Sequence, residues 1–164
     1  LYTPAAMWIA FSDDLLDWGW REDMAHRTWP ERRPHLADDH CLIRPTYDWE
    51  RLKIGGSGVP IPTDDGWLTT YHAVDREGVY RVGLLLLDHA DPRRVIARSP
   101  VPIRQPETEW ERGGTYAHGD GCVFPCANVV IGEEIFIYYG ADDKHCCLAI
   151  VKLQDLLDYA LACR

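Results

Sequence analysis

The residues best suited to chemistry lie between Trp49 and His72, a run that combines one lysine with a glycine-rich turn. Lys53 stands directly before Ile54 and is followed by glycines at positions 55, 56 and 58. A lysine beside such a turn can hold an anion, because backbone N–H groups of the turn assist the ammonium. The run lacks the lysine-then-Ser/Thr ending of a nucleotide-binding loop, and no helical pattern follows it. The sequence therefore indicates a different kind of anion site, with a solvated lysine as the alternative.

Composition limits the partners of such a site. The 164 residues carry a net charge of −9, which argues against nucleic acid, because its binders carry clustered Lys and Arg. The longest apolar run, Val82–Leu87, is too short to cross a membrane. No signal-peptide pattern opens the chain, so the sequence predicts a soluble, cytoplasmic protein. Seven Trp and eight Tyr are many for this length, and aromatic rings either fill cores or stack on sugars.

The six cysteines do not form a metal-binding or disulfide pattern. Cys122 and Cys126 are four residues apart, Cys146 and Cys147 are adjacent, and no C-x-x-C pair is present. The sequence therefore predicts reduced thiols and no metal site, which agrees with a cytoplasmic location.

The elements that must position these residues are mainly strands. Short β-branched or aromatic runs with a period of two alternate with turns supplied by eleven Pro and thirteen Gly. The predicted strands are Met7–Phe11, Trp67–His72, Tyr80–Leu87, Glu134–Tyr139 and Cys146–Val151. Only Gln154–Cys163 has helical spacing. The sequence predicts a single all-β domain over residues 1–164 with a short C-terminal helix.

Two sets of similar segments suggest an internal repeat. Hydrophobic strands that run into acidic turns align at Ala10, Gly83 and Ala149, with spacings of 73 (83 − 10) and 66 (149 − 83) residues. A second set pairs Tyr71 with Tyr139, 68 residues later (139 − 71). A period near 70 with several strands per unit is typical of propeller blades.

Such a period predicts roughly two and a half blades, whereas closed propellers have about four to eight. Open sheet edges and an uncovered apolar face would remain, and proteins rarely tolerate either. We therefore expect a homodimer or association with further blades, to which the leucine stripe of the predicted helix could contribute. In a propeller, strand-end residues such as His72 project into the central funnel, although a structural histidine is an equal alternative.

The glycine-rich run resembles the core motif of glycoside hydrolase family 130, the β-mannoside phosphorylases and β-mannosidases. The matching residues are Trp49, Lys53-Ile54-Gly55, Pro60-Ile61, Thr63, Gly66-Trp67-Leu68 and Tyr71-His72. The resemblance continues over nearly the whole chain through Tyr80–Gly83, Leu86–Asp88, Asp91-Pro92, Val95–Arg98, Pro106-Glu107, Glu111–Gly113, Val123–Cys126 and Tyr138–Asp143. Departures include Ala73 in place of a Gly and Asp142 in place of an Ala.

The resemblance implies a five-bladed β-propeller of which this chain is the C-terminal half. The phosphate ligands that it implies are Lys53, His72 and Tyr80, and the implied sugar ligands are Tyr71, Phe124 and Asp143. It implies that the proton-donating Asp lies in N-terminal blades upstream of Leu1, so no catalytic residue is assigned here. Inorganic phosphate would be the co-substrate, and no cofactor is implied.

Two functions remain open at this stage. The chain could be part of a β-1,4-mannoside phosphorylase, inactive without its other blades. Alternatively, it could be an inert half-propeller that binds carbohydrate or phosphate or serves assembly. In either case Lys53 would supply the fixed charge of the anion site. His72, as a titratable group, would raise anion affinity as the pH falls through about 6.5.

Overall fold

The computed structural model describes residues 6–16, 41–113 and 120–164. Within these ranges the chain is mostly β-strand and ends in one short helix, as the sequence predicts. The strands are β1 (Met7–Trp8), β2 (Cys41–Ile43), β3 (Lys53–Gly56), β4 (Ile61–Thr63), β5 (Gly66–Val74), β6 (Tyr80–Leu87), β7 (Val95–Arg98), β8 (Val123–Ile131), β9 (Glu134–Ala141) and β10 (His145–Lys152). The helix α1 spans Leu153–Ala162, and one 3-10 turn spans Asp48–Glu50.

The strands form three sheets in which every pair of neighbours is antiparallel. The N-terminal sheet is β1–β2. The central sheet has the order β3–β5–β6–β7, with β4 pairing to the other end of β5. The C-terminal sheet has the order β8–β9–β10. The predicted antiparallel pairing is thus present, but the described sheets have two, five and three strands and not the four expected of each blade. The number of blades stays a prediction.

The central sheet lies between two apolar clusters because side chains alternate between the faces of β5. On one face, Tyr71 and Ala73 are buried with Met7 and Ile43 of the N-terminal sheet. On the other face, Leu68 packs in a second cluster with residues of the C-terminal sheet and of α1. The three sheets are therefore stacked face to face.

The helix α1 closes the second cluster rather than offering an apolar stripe to a partner. Leu156, Leu157 and Ala160 are buried there with Leu68 and Leu84. The expectation that this leucine stripe contributes to a dimer contact is therefore wrong, because packing inside the chain already uses it.

Strand β8 shows where the period-two pattern fails. Pro125 lies within it, and the pairing with β9 shifts between Pro125 and Ala127. The bulge places an extra residue, Cys126, in the strand and interrupts the alternation of the side chains. A proline inside an apolar run argues against a strand, so the sequence pattern did not mark this one.

A repeated buried glutamate supports the equivalence of β5 and β9. The hydroxyl of Tyr71 donates to Glu50 Oε1 at 2.7 Å, and the hydroxyl of Tyr139 donates to Glu111 Oε1 at 2.8 Å. Both carboxylates are fully buried. The predicted correspondence of Tyr71 and Tyr139 thus has a structural counterpart.

Each glutamate also closes its own turn. Glu50 Oε2 accepts the backbone N–H groups of Thr46 and Tyr47, four and three residues before it. Glu111 Oε2 accepts those of Glu107 and Thr108 in the same pattern. The sequence Trp-Glu-Arg occurs at both turns, at 49–51 and 110–112, and this repeat could have been found before the structure.

An arginine completes each cluster, but from a different place. Arg98 of β7 lies 2.6 Å from Glu50, and Arg104, in the segment before β8, lies 2.6 Å from Glu111. A buried carboxylate is costly unless a cation pairs with it, and the two arginines provide that cation from different positions in the sequence.

All six cysteines are free thiols, in agreement with the sequence. The described part of the chain has no helix with the length and apolar character needed to span a bilayer.

Candidate functional site

Four of the predicted ligands meet where the strands of two sheets begin and end. Lys53 opens β3 and His72 lies near the end of β5, so the antiparallel pairing brings both to one end of the central sheet. Tyr80 opens β6 at the same end. Phe124 lies near the start of β8. Tyr80 forms a β-bridge with Cys122, two residues before Phe124. The topology therefore gathers residues that are up to 71 positions apart (124 − 53) in the sequence.

The side chains form a compact aromatic and cationic cluster. The rings of His72 and Phe124 are 4.5 Å apart between centroids, and those of His72 and Tyr80 are 6.3 Å apart. Tyr80 and Phe124 complete the triangle at 6.0 Å. The Nζ atom of Lys53 lies 5.0 Å from the centre of the Tyr80 ring, within the range of a cation–π contact. Aromatic faces beside a cation can serve both a sugar ring and an anion.

Gly55 makes room for the imidazole. Gly55 is the direct cross-strand partner of His72, and a Cβ atom at Gly55 would lie 2.4 Å from the His72 ring. No side chain fits between the β3 backbone and the ring. The glycine in the Lys-Ile-Gly motif is therefore required by the packing of His72.

His72 is a neutral residue in this cluster. Burial and the nearby Lys53 ammonium lower its pKa to about 4, and the backbone of Gly56 opposes this only partly. The sequence analysis expected anion affinity to rise as the pH falls through about 6.5. That expectation is wrong for a histidine with this pKa, because the imidazole stays uncharged until well below pH 6. A neutral imidazole still offers one N–H donor and one acceptor.

Asp143 lies near Cys122, the residue that pairs with Tyr80 of the cluster. Burial, and next the Asp143 carboxylate, raise the pKa of the Cys122 thiol to about 11, while Lys53 opposes this increase. Both charges therefore lie near Cys122, and they have opposite effects on its pKa. Asp143 itself is exposed, in the turn that follows β9.

The turn that carries Asp143 also buries a second carboxylate. Asp142 and Asp143 have φ values of 51° and 55°, and the N–H of Lys144 donates to the carbonyl of Ala141. This is the backbone of a tight hairpin turn, which Asp tolerates better than most residues. Asp142 is 1% exposed, its Oδ2 lies 3.2 Å from Lys144 Nζ, and its Oδ1 has no hydrogen-bond partner.

Tyr71 does not belong to this cluster. Its side chain points to the opposite face of β5, is 0% exposed, and donates to Glu50. Burial and the Glu50 carboxylate raise its pKa, although Arg98 opposes them. A residue with no exposed surface cannot stack on a sugar, so the prediction of Tyr71 as a sugar ligand is wrong and Tyr71 is a core residue.

Metal chemistry has no support in the described ranges. There, no group of three or more His, Cys, Asp or Glu side chains is placed to hold an ion. The arrangement can instead position an anion beside Lys53 and a polyhydroxylated ring beside Phe124 and Tyr80.

The stacked antiparallel sheets define an all-β protein with a cationic and aromatic cluster at its strand ends. Comparison with known proteins identifies its family. The family model Glyco_hydro_130, described as beta-1,4-mannooligosaccharide phosphorylase, matches residues 2–161. This chain belongs to glycoside hydrolase family 130.

Individual relatives agree with this assignment. A 1,2-beta-oligomannan phosphorylase of Thermoanaerobacter sp. (strain X514) is 38% identical over 92% of this chain and 44% of its own length. A beta-1,4-mannooligosaccharide phosphorylase of Ruminococcus albus is 30% identical over 96% of this chain and 43% of its own length. The chain therefore spans less than half the length of these relatives.

Among solved structures, the beta-1,2-mannobiose phosphorylase of Listeria innocua in complex with beta-1,2-mannobiose is similar, with a TM-score of 0.67. It is 32% identical, and the match covers 74% of this chain and 33% of that one. The described sheets are thus similar in structure to propeller-type members of the family.

Proposed function

We propose that this chain supplies phosphate- and sugar-binding residues to the active site of a mannoside phosphorylase. The observation that carries the proposal is the meeting of Lys53, His72, Tyr80 and Phe124 at one end of the stacked sheets. Family membership supports it, since the relatives are named as mannoside phosphorylases. The ligands would be inorganic phosphate and a mannoside, with no cofactor.

In the proposed reaction, an oxygen of phosphate attacks the anomeric carbon of the mannoside. The bond to the leaving sugar oxygen breaks, that oxygen takes up a proton, and mannose 1-phosphate forms. Lys53 would hold the phosphate by a charge-assisted hydrogen bond, and neutral His72 and the Tyr80 hydroxyl would donate to its other oxygens. Asp143 would accept sugar hydroxyls, and Phe124 would lie against the ring.

The sugar linkage is the finer part of the proposal. The sequence resemblance pointed to β-1,4-mannosides, whereas identity is higher to the relative named for β-1,2-linked oligomannan, at 38% against 30%. We therefore propose β-1,2-mannosides as the first substrates to test, with β-1,4-mannobiose beside them.

Phosphate binding tests the site directly. We expect Lys53→Met to weaken the binding of inorganic phosphate at least tenfold, because a charge-assisted hydrogen bond contributes roughly 1.5–3 kcal/mol. Calorimetry at millimolar phosphate measures this. The matched control is Arg94→Met, which removes an exposed cation in the turn after β6, at the other end of that strand. Equal affinity in wild type and Lys53→Met would show that the anion site lies elsewhere.

Turnover tests whether the chain is catalytic without further blades. We expect the purified chain to release no detectable mannose 1-phosphate from β-1,2- or β-1,4-mannobiose in the presence of phosphate. The reason is that no residue of the cluster is assigned as proton donor, and a positioned general acid contributes about 10²–10⁴ in rate. Turnover at ordinary enzyme rates would contradict this and would place the acid within the 164 residues. Sugar or phosphate binding without turnover fits both an incomplete active site and an inert binding module.

A further inference from the structure

One buried side chain of the C-terminal sheet, Asn128 of β8, contacts two further segments that carry the candidate site. Asn128 is 9% exposed and lies where β8 packs on β5. The hydroxyl of Thr70 in β5 lies 3.3 Å from the Oδ1 atom of Asn128 and 3.2 Å from its Nδ2 atom, within hydrogen-bond distance of both. Thr70 is buried as well. The pair therefore joins the central and C-terminal sheets by a polar contact in the interior.

The same amide supports the glycine-rich turn between β3 and β4. The backbone of Gly58 runs against Asn128, and a Cβ atom at Gly58 would lie 2.5 Å from Nδ2 and 2.7 Å from Cγ of the amide. Gly58 also has a φ of 45°, which L side chains rarely adopt. The turn can pack directly on the amide because position 58 is a glycine.

Apart from the two strands that it joins, the turn has little else to hold it in place. Within the described residues, no backbone hydrogen bond links positions 57–60 to one another. The Ser57 hydroxyl is buried and has no hydrogen-bond partner there, and Val59 is 74% exposed. The position of the turn therefore depends on the contact between Gly58 and Asn128.

Each contact of Asn128 lies a few residues from a member of the aromatic and cationic cluster. Thr70 precedes His72 by two positions, so both side chains project from the same face of β5. The turn continues β3, in which the backbone of Gly55 packs on the His72 ring. Asn128 itself follows Phe124 by four positions in β8. These three segments approach the His72 ring, and all three meet at Asn128.

We propose that Asn128 is a positioning residue of the candidate site, which holds the glycine-rich turn and β5 against β8 and thereby sets how closely Lys53 and Phe124 approach His72. An amide suits this task because it offers both donors and an acceptor without a charge that burial would penalise. Asn128 is not itself a ligand, because its side chain lies in the interior. The consequence for phosphate rests on the proposed function, whereas the effect on His72 does not.

The titration of His72 tests the proposal without any ligand. Burial and the Lys53 ammonium hold the pKa of His72 at about 4, and Tyr80 is the titratable group in ring contact with it. Asn128→Ala is expected to raise the midpoint of the His72 titration by at least about one pH unit towards 6.5, because a displaced turn admits water to the imidazole. Proton–nitrogen NMR from pH 8 to pH 3 measures the midpoint, and His72→Gln assigns the signal.

Matched variants separate positioning from a general loss of stability. Leu86→Ala removes a buried side chain from the second apolar cluster, at the other end of β6 from Tyr80, and is expected to lower stability without moving the His72 titration. Thr70→Val removes only the hydroxyl and is expected to raise the midpoint, whereas Thr70→Ser keeps the hydroxyl and is expected to follow wild type.

Circular dichroism checks that each variant folds, and Thr70→Val decides if Asn128→Ala does not. An unmoved His72 titration in Thr70→Val, or an equal rise in Leu86→Ala, would overturn the proposal.

Phosphate affinity tests the part that rests on the proposed function. Asn128→Ala is expected to weaken the binding of inorganic phosphate at least about threefold in calorimetry, because binding groups that are displaced by a fraction of an ångström lose their geometry. A wild-type chain that binds no phosphate would contradict the proposed function and not the positioning role, which the His72 titration decides. Unchanged affinity in Asn128→Ala, with wild-type binding present, would contradict the positioning of Lys53 by Asn128.

Discussion

Glu50→Ala is expected to lower the free energy of unfolding by about 3–5 kcal/mol, a large part of the stability of a typical domain. The variant leaves Arg98 without its carboxylate partner and the Tyr71 hydroxyl without its acceptor in the interior. It also frees two backbone N–H groups that the carboxylate now accepts. Urea denaturation followed by circular dichroism measures the loss.

Two further variants make this prediction specific. Glu111→Ala is expected to cost a similar amount, because Glu111 has the same kinds of partner: an arginine, a tyrosine hydroxyl and two backbone N–H groups. Glu77→Ala removes an exposed glutamate from the β5–β6 turn and is expected to change stability by less than about 0.5 kcal/mol. If Glu50→Ala cost no more than Glu77→Ala, the buried clusters would contribute nothing to the stability of the sheets.

Acid is expected to lower the stability of the protein in two stages. Both groups concerned bind protons more readily in the unfolded chain than in the folded one, so stability falls as the pH falls. The pKa of His72 is about 4 in the fold against an ordinary 6.5, which sets the first stage between pH 6.5 and 4. This stage amounts to at most about 3 kcal/mol.

Glu111 sets the second stage. Burial alone would raise its pKa, but the N–H groups of Thr108 and Glu107, the Tyr139 hydroxyl and Arg104 together lower it from 4.5 to about 2. The stability that this carboxylate provides is complete above pH 4.5 and is lost as the pH falls towards 2.

Melting temperatures measured from pH 8 to pH 2 test both stages. His72→Gln is expected to flatten the curve between pH 6.5 and 4 and leave the lower part unchanged. His89→Gln, at an exposed histidine, is the matched control and is expected to follow wild type. A His72→Gln curve parallel to wild type between pH 6.5 and 4 would mean that His72 is not held neutral by the fold.

The sequence predicted the elements that depend on local alternation and turn residues. Tyr80–Leu87 is a strand with the predicted bounds, and α1 differs from its prediction by one residue at each end. Strand β8 was not predicted because Pro125 and a bulge break its alternating pattern. The bulge depends on the pairing with β9 and not on the local sequence. Local signals thus located the sheets but not all of their members.

The site shows the same division. Lys53, His72, Tyr80 and Phe124 were identified from the family resemblance, and the structure brings them together. Tyr71 was identified in the same way and directly precedes His72, yet a period of two sends neighbouring side chains to opposite faces, and Tyr71 enters the core. The charge state of His72 could not be predicted, because it depends on burial and on Lys53, 19 residues away in the sequence (72 − 53).

The close approach of Gly55 and His72 couples the substitutions that evolution can accept at these two positions. A Cβ atom at position 55 would overlap the imidazole at 2.4 Å, so a larger residue there can persist only if position 72 also changes to a smaller side chain. A substitution at either position alone would change the ring packing beside Phe124, even in the absence of a ligand. Among related sequences the pair should therefore vary jointly, and a histidine at 72 should occur only where position 55 is glycine.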